Sequence, residues 1–239
     1  MMTASSRMVT PCEPHGFRPV GFFFGLDYMV RDRVISLIDG FNLYHAIARL
    51  KQLPLEWLDL QALSRLFIGS QSEELTQVFY FSTLAIHTSE ATQKRQTAYF
   101  TALKLNGVNL ILGQFKKKDR YCPKCASYWT GYEEKETDVN IALTLLELSF
   151  QNAFDRALLV SNDSDLAPAV RKVLGRFPDK RITIVAPPLS RQCNELIQAA
   201  SDKSRIHPDH LKKCLLPEKL QDKLGRISIA RPREYSPLN

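Results

Sequence analysis

The chain has 239 residues, 44% of them hydrophobic and 24% charged, with a formal net charge of +7. That composition fits one substantial globular domain with appendages, and no apolar run approaches the roughly 18 residues that would cross a bilayer. Five cysteines, an odd number unevenly spread, argue against a disulfide framework and for a reducing cytoplasm, while the positive balance leans toward a polyanionic partner.

Residues 1–30 read as a flexible extension. Pro11, Pro14 and Pro19 interrupt it, and the apolar patch Val20 to Leu26 lacks the small-residue cleavage site of a secretory signal. Met29 directly precedes the first convincing strand, so it is an alternative start. That strand, Val34 to Ile38, ends in Asp39-Gly-Phe-Asn42. Gly40 permits a sharp exit, and Asn42 is placed to cap a helix from Leu43 to Leu50. Leu58 to Ile68 resumes a helical pattern. Leu75 to Leu84 reads as a second strand, Thr88 or Ser89 caps a helix through about Leu105, and Val108 to Leu112 is a third strand.

Residues 116–132 break this rhythm as an insertion or hairpin. A helix from Glu136 to Phe150, apolar on more than one face, then feeds Ala157-Leu-Leu-Val160, a strand buried on both sides. After it Asp165 suits an N-cap, with Pro168 in the first helical turn. Arg181 to Ala186 is a fifth strand and Arg191 to Ala200 the last clear helix. The basic, proline-interrupted residues 207–239 read as a mobile tail. Strands alternating with helices predict a three-layer α/β/α sandwich around a parallel sheet.

The acidic residues at the strand ends carry the chemistry. Strand one ends in Asp39 and strand four in Asp163 and Asp165, and Asp138 opens the intervening helix. Each alone is accounted for by helix capping or the helix dipole. If the strand order reverses between strands one and four, all meet at the crevice where α/β sheets bind ligands. Clustered hard oxygen donors suit Mg²⁺ or Mn²⁺, and a carboxylate-held cation that activates water fits phosphodiester hydrolysis. No histidine is needed, and His45 reads as a partly buried core residue. P-loop, G-x-G-x-x-G and G-x-S-x-G motifs are absent from the sequence.

Ile38-Asp-Gly-Phe-Asn42, Lys135-Glu-Thr-Asp-Val-Asn-Ile-Ala142 and Leu159-Val-Ser-Asn-Asp-Ser-Asp-Leu166 resemble the three signature segments of NYN domains. These are PIN-like nucleases, and the chain is most similar to their bacterial LabA-like branch. The resemblance covers about Val34 to Ala200. It implies a PIN-like (Rossmann-like) topology and an Mg²⁺- or Mn²⁺-dependent endoribonuclease acting on single-stranded or structured RNA. It matches Asp39, Asp138, Asp163 and Asp165 to the metal-binding acids, Asn42 to a residue orienting water or substrate, and Ser161 to a small polar position beside them, expected to contact nucleic acid. The rival is a PIN-like RNA-binding or regulatory module that turns nothing over. A Toprim-like or phosphatase site also uses Asp-x-Asp, but such patterns expect a different first strand end.

Cys122-Pro-Lys-Cys125 has the spacing of half a zinc site. His207, His210 and Cys214, the only other ligand cluster, lie far along the chain, so the ligand count favours two reduced thiols in a tight hairpin over bound zinc. Lys116, Lys117, Lys118 and Arg120, with Tyr121, Tyr128 and Trp129, form a candidate surface for phosphates and unpaired bases, against the plainer reading of a solvated loop. The expected organisation is therefore an extension over 1–30, an NYN/PIN-like domain over 31–206 and a basic tail. Self-association stays open.

Overall fold

A computed structural model describes residues 31–236 except 70, 223 and 227; the proposed extension and alternative start lie outside them. Six strands form one parallel sheet in the order β3-β2-β1-β6-β7-β8. They are β1 (Asp32–Asp39), β2 (Glu73–Ser82), β3 (Asn109–Leu112), β6 (Arg156–Val160), β7 (Arg181–Ala186) and β8 (Asp202–Arg205). The chain builds outward from β1 in one direction, then returns to β1's free side and builds outward in the other. The switch falls between β1 and β6, in register from Val34 opposite Arg156 to Ile38 opposite Val160.

Period-two alternation sorts the strand side chains between two cores. Val34, Ile38, Val78, Tyr80, Leu158 and Val160 face one side. There they pack under α1 (Gly40–Ala48), α2 (Leu60–Arg65) and α3 (Glu90–Leu105). Ile35, Leu37, Phe79, Phe81, Ala157 and Leu159 face the other, beneath α4 (Thr137–Phe150), α5 (Ala167–Arg176) and α6 (Asn194–Ala199). This is the expected three-layer sandwich. At the amino ends of the strands Arg156 grips the Glu73 carboxylate twice, Nε at 2.7 Å and Nη2 at 2.6 Å, and also donates to the Phe67 carbonyl at 2.8 Å. That pins β6, β2 and the end of the α2 segment together, at the edge of the sheet opposite the acids.

Two caps differ from expectation. Asp39, not Asn42, caps α1: its Oδ1 accepts from the Asn42 backbone N–H at 2.9 Å. Helix and strand can abut because Gly40 has no side chain; a Cβ there would lie 2.5 Å from the Phe81 carbonyl and the Tyr80 ring. Likewise Asp163, not Asp165, is the cap after β6, accepting from the Asp165 N–H at 3.0 Å at the head of a short 3-10 turn. His45 is exposed rather than part of the core, with its ring edge-to-face on Phe41 at 4.3 Å.

The insertion is an antiparallel hairpin of β4 (Gln114–Tyr121) and β5 (Tyr128–Lys135), longer than residues 116–132. It runs straight into α4. The segment from residue 207 is not a free tail. It forms α7 (Pro208–Lys213) and a small hairpin, β9 (Lys219–Gln221) with β10 (Ser228–Ala230). Leu211, Leu216 and Tyr235 are buried in the first core, and the Trp57 indole donates to the Pro217 carbonyl at 2.9 Å. The few apolar residues among many lysines are those that pack. Strand β8 escaped notice because an edge strand can be polar throughout. No helix among the described residues is long and apolar enough to cross a membrane.

If the segment is structural, Leu211→Ala should cost roughly 2–5 kcal/mol, as truncation of a fully buried leucine does. Urea denaturation measures it, and a change under about 0.5 kcal/mol would mean the segment is a dispensable tail.

Candidate active site at the carboxyl ends of the strands

The switch point brings Asp39, at the end of β1, beside the turn that follows β6. Asp39 is 3% exposed. Its Oδ2 accepts from the Ser161 hydroxyl at 2.8 Å, and that hydroxyl in turn accepts from the Asp163 N–H at 3.1 Å. Ser161 has no exposed surface, so it positions two acids instead of meeting nucleic acid directly. Burial pushes the Asp39 carboxyl up to about 6, against the Asn42 and Ser161 hydrogen bonds, and the nearby Asp163 and Glu134 raise it further.

Asp138 enters from the other core, in the first turn of α4. Burial again pushes its pKa up to about 6, and Asp39, Asp163, Glu134 and Asp165 add to the rise. The hairpin delivers this residue: Glu136, between β5 and α4, takes a left-handed φ of 78°, which turns the chain sharply into the helix. Asp39, Asp138 and Asp163 together line a cleft of about 310 Å³, with Phe41, Asn42, Glu133, Glu134, Lys135 and Thr137 completing its walls. Asp165 is exposed and does not line it, acting on the cleft through its charge.

Glu134 was missed in the sequence. It accepts from the Thr137 backbone N–H at 3.2 Å and from the Thr83 hydroxyl at 3.3 Å, and it also takes the Thr137 hydroxyl. It therefore caps α4 while adding a further carboxylate to the cleft. The run Glu133-Glu-Lys-Glu136 before Thr137 was its only signal, and nothing in the spacing distinguishes which glutamate points inward.

The basic residues do not form one patch. Strand alternation places Lys116, Lys118 and Arg120 on one hairpin face and Lys117 on the other. Glu133 sits among the first group, 2.8 Å from Lys118, 3.0 Å from Arg120 and 3.2 Å from Lys135, and hydrogen bonds from Lys118 and Lys135 hold its carboxyl down at about 2. Three cations around one anion leave this face positive, beside the acidic cleft. Tyr121 and Tyr128 pack on each other at 4.7 Å, and Trp129 is half exposed. At the hairpin tip Cys122 and Cys125 are free thiols. The Cys125 Sγ donates to the Ser127 hydroxyl at 3.3 Å, and hydrogen bonds from Ser127 lower its pKa.

The oxygen donors of the cleft, most of them carboxylates, suit a hard divalent cation. Burial first, and the charge of the neighbouring acids after it, disfavour the ionised forms of Asp39 and Asp138, and such a cation would favour them. Among the described residues the acids are not drawn into a ready-made cage of three or more ligands.

Residues 33–205 match the family model of the NYN domain. The chain belongs to the NYN domain family. Its parallel sheet with flanking helices is thus that of an NYN/PIN-like, nuclease-type fold. This NYN domain is also 29% identical over 237 aligned positions to the 6-hydroxy-3-succinoylpyridine 3-monooxygenase HspA of Pseudomonas putida, covering 83% of this chain and 73% of that protein. A crystal structure of a Vibrio parahaemolyticus protein of unknown function shares the fold at a TM-score of 0.51. It is 20% identical, with 78% of this chain and 97% of that one covered.

An acid whose pKa is raised by folding binds its proton more tightly in the folded chain. Its contribution to stability is complete below the unfolded value of about 3.9 and is lost as pH rises through the folded value, which for Asp39 is about 6. Asn keeps the cap but cannot ionise. In metal-free buffer Asp39→Asn should therefore gain on wild type by roughly 1–3 kcal/mol between about pH 4 and about pH 7.5. Urea denaturation at both pH values reads this, and an offset independent of pH would place Asp39 among ordinary exposed carboxylates.

Proposed function

We propose that this NYN domain is an endoribonuclease dependent on Mg²⁺ or Mn²⁺ and that it hydrolyses RNA phosphodiester bonds in the acidic cleft. The observation that carries the reading is the convergence of Asp39, Asp138 and Asp163 in one cleft at the β1/β6 switch, with a positive hairpin face beside it. Asp39, Asp138 and Asp163 would hold the cation, with Asp165 contributing charge from outside. The bound ion would supply Lewis-acid polarisation and neutralise charge building on the phosphate.

The remaining work falls to the chain. Ser161 fixes the Asp39 carboxylate and, by donating to it, offsets part of the rise in pKa that burial imposes. Asn42 lines the cleft with its backbone N–H spent on Asp39, so its side-chain amide remains to orient water or a phosphate oxygen. Lys116 and Lys117, and Lys118 and Arg120 once a phosphate competes with Glu133, hold the RNA backbone. An acidic cleft alone would repel RNA, so the hairpin supplies the attraction that brings substrate to it.

Cleavage of single-stranded RNA should need Mg²⁺ or Mn²⁺ and stop with chelator. Asp39→Asn, Asp138→Asn and Asp163→Asn should each lower the single-turnover rate by at least about 100-fold and leave RNA binding equal or tighter, since a negative charge near phosphate is gone. If wild type cuts none of a varied set of RNAs but still binds them, the non-catalytic RNA-binding module is the better reading.

A further inference from the structure

A second cavity, of about 560 Å³, opens beside the acidic cleft. Phe41 belongs to the walls of both. Its surroundings are rings. Tyr44, one turn along α1, leaves 47% of its surface exposed on this rim, and Phe41 leaves 43%. Across the cavity His87 lies flat on Tyr132, with ring centres 4.6 Å apart and planes 12° apart, and Phe115 meets His87 edge-on at 4.5 Å. Phe115 and Tyr132 come from the hairpin face opposite Glu133, so one insertion walls both the cleft and this cavity.

Polar groups are interleaved with the rings, Glu56, Arg95, Gln96 and Glu234 among them. Glu56 is a half-buried carboxylate whose pKa burial raises, countered by a hydrogen bond from Tyr235 and by the charge of Arg95. Arg95 donates to Thr92 at 3.1 Å and pairs with Glu234 at 3.3 Å. Aromatic walls carrying an acid and a base that face each other's charge are the makings of a small-molecule site. A flat ligand bearing both donors and acceptors on one edge would use the rings for its faces, Glu56 as acceptor and Arg95 as donor. A lipid or aliphatic ligand would use neither the ring faces nor this acid–base pair.

We propose that this cavity receives one unstacked nucleobase of the RNA whose phosphate lies in the neighbouring cleft, with Phe41 as the partition between base and phosphate. The inference rests on the nuclease reading for its phosphate, and it deepens that reading: the substrate must present a base free to leave the stack, as a loop, bulge or single strand does. A continuous duplex would be disfavoured. Tyr44 and Tyr132, exposed enough to be replaced without opening a core, are the residues on which the base would stack.

The experiment measures binding of the full chain, in chelator so that nothing is cut, to a short single-stranded RNA by fluorescence anisotropy. A matched set carries one abasic position moved along the strand. Loss of one base–aromatic stack is worth roughly 5- to 150-fold in affinity. One abasic position should weaken binding to wild type by that factor. Tyr44→Ala should weaken the intact RNA comparably yet hardly change binding of the RNA abasic at that position, and Tyr44→Phe should restore affinity. A 2-aminopurine at the sensitive position should lose fluorescence on wild type and less on Tyr44→Ala. RNA bound equally by wild type and Tyr44→Ala, with no position sensitive to base removal, overturns the base pocket and leaves the nuclease reading standing. No RNA binding at all overturns both. Binding of free 6-hydroxynicotinate that depends on Tyr44, without RNA binding, assigns the cavity to small heteroaromatics and also overturns the proposal.

Discussion

Everything at the site follows from β1 and β6 lying side by side and pointing the same way. β6 is buried throughout and β1 from Val34 to Asp39, so their carboxyl ends cannot separate without tearing the sheet. Whatever residues end these strands are forced together. Here they are Asp39 and the Asp163 turn, and the Ser161 hydroxyl joins them by two hydrogen bonds. The core thereby imposes a repulsion that the acids would avoid if free. The sheet holds them together regardless, because the apolar burial on both faces amounts to far more than one unfavourable charge contact.

The hairpin is the second determinant. Near its end Glu134 caps α4, and its turn into the helix brings Asp138 toward Asp39. Gly113 allows that docking at its base, since a Cβ there would fall 2.5 Å from the Lys135 carbonyl. One inserted element thus supplies a carboxylate, aims another, presents a cationic face around Glu133, and walls the aromatic cavity with Phe115 and Tyr132. An acidic centre needs such a neighbour if it is to act on a polyanion, because net attraction must come from somewhere within a Debye length.

The strand and helix pattern was legible because buried parallel strands are short apolar runs and their connecting helices are amphipathic. The acids were legible by position, since each stands just beyond such a run. What escaped has a physical cause in each case. Glu134 sits in a run of glutamates whose facing depends on hairpin register, a nonlocal property. Asp39 took the cap assigned to Asn42 because Gly40 lets the helix begin without a loop. Residues 208–236 looked mobile because Leu211, Leu216 and Tyr235 are outnumbered by lysines and arginines, yet three well-placed apolar groups suffice to dock a segment onto an existing core. The aromatic cavity was invisible because Phe41, Tyr44, His87 and Tyr132 are spread over three separate segments.

If the clustered carboxylates form the proposed cation site, Asp39 and Asp138 must lose protons that burial holds up to about pH 6. Calorimetric titration of the metal-free wild-type chain with Mn²⁺, at about pH 7.5 and about pH 5, tests this most directly. Metal ligands bind in their deprotonated form, so affinity should be clear at the higher pH and fall on the order of 10- to 100-fold at the lower one. No binding at the higher pH, or equal affinity at both, would contradict it.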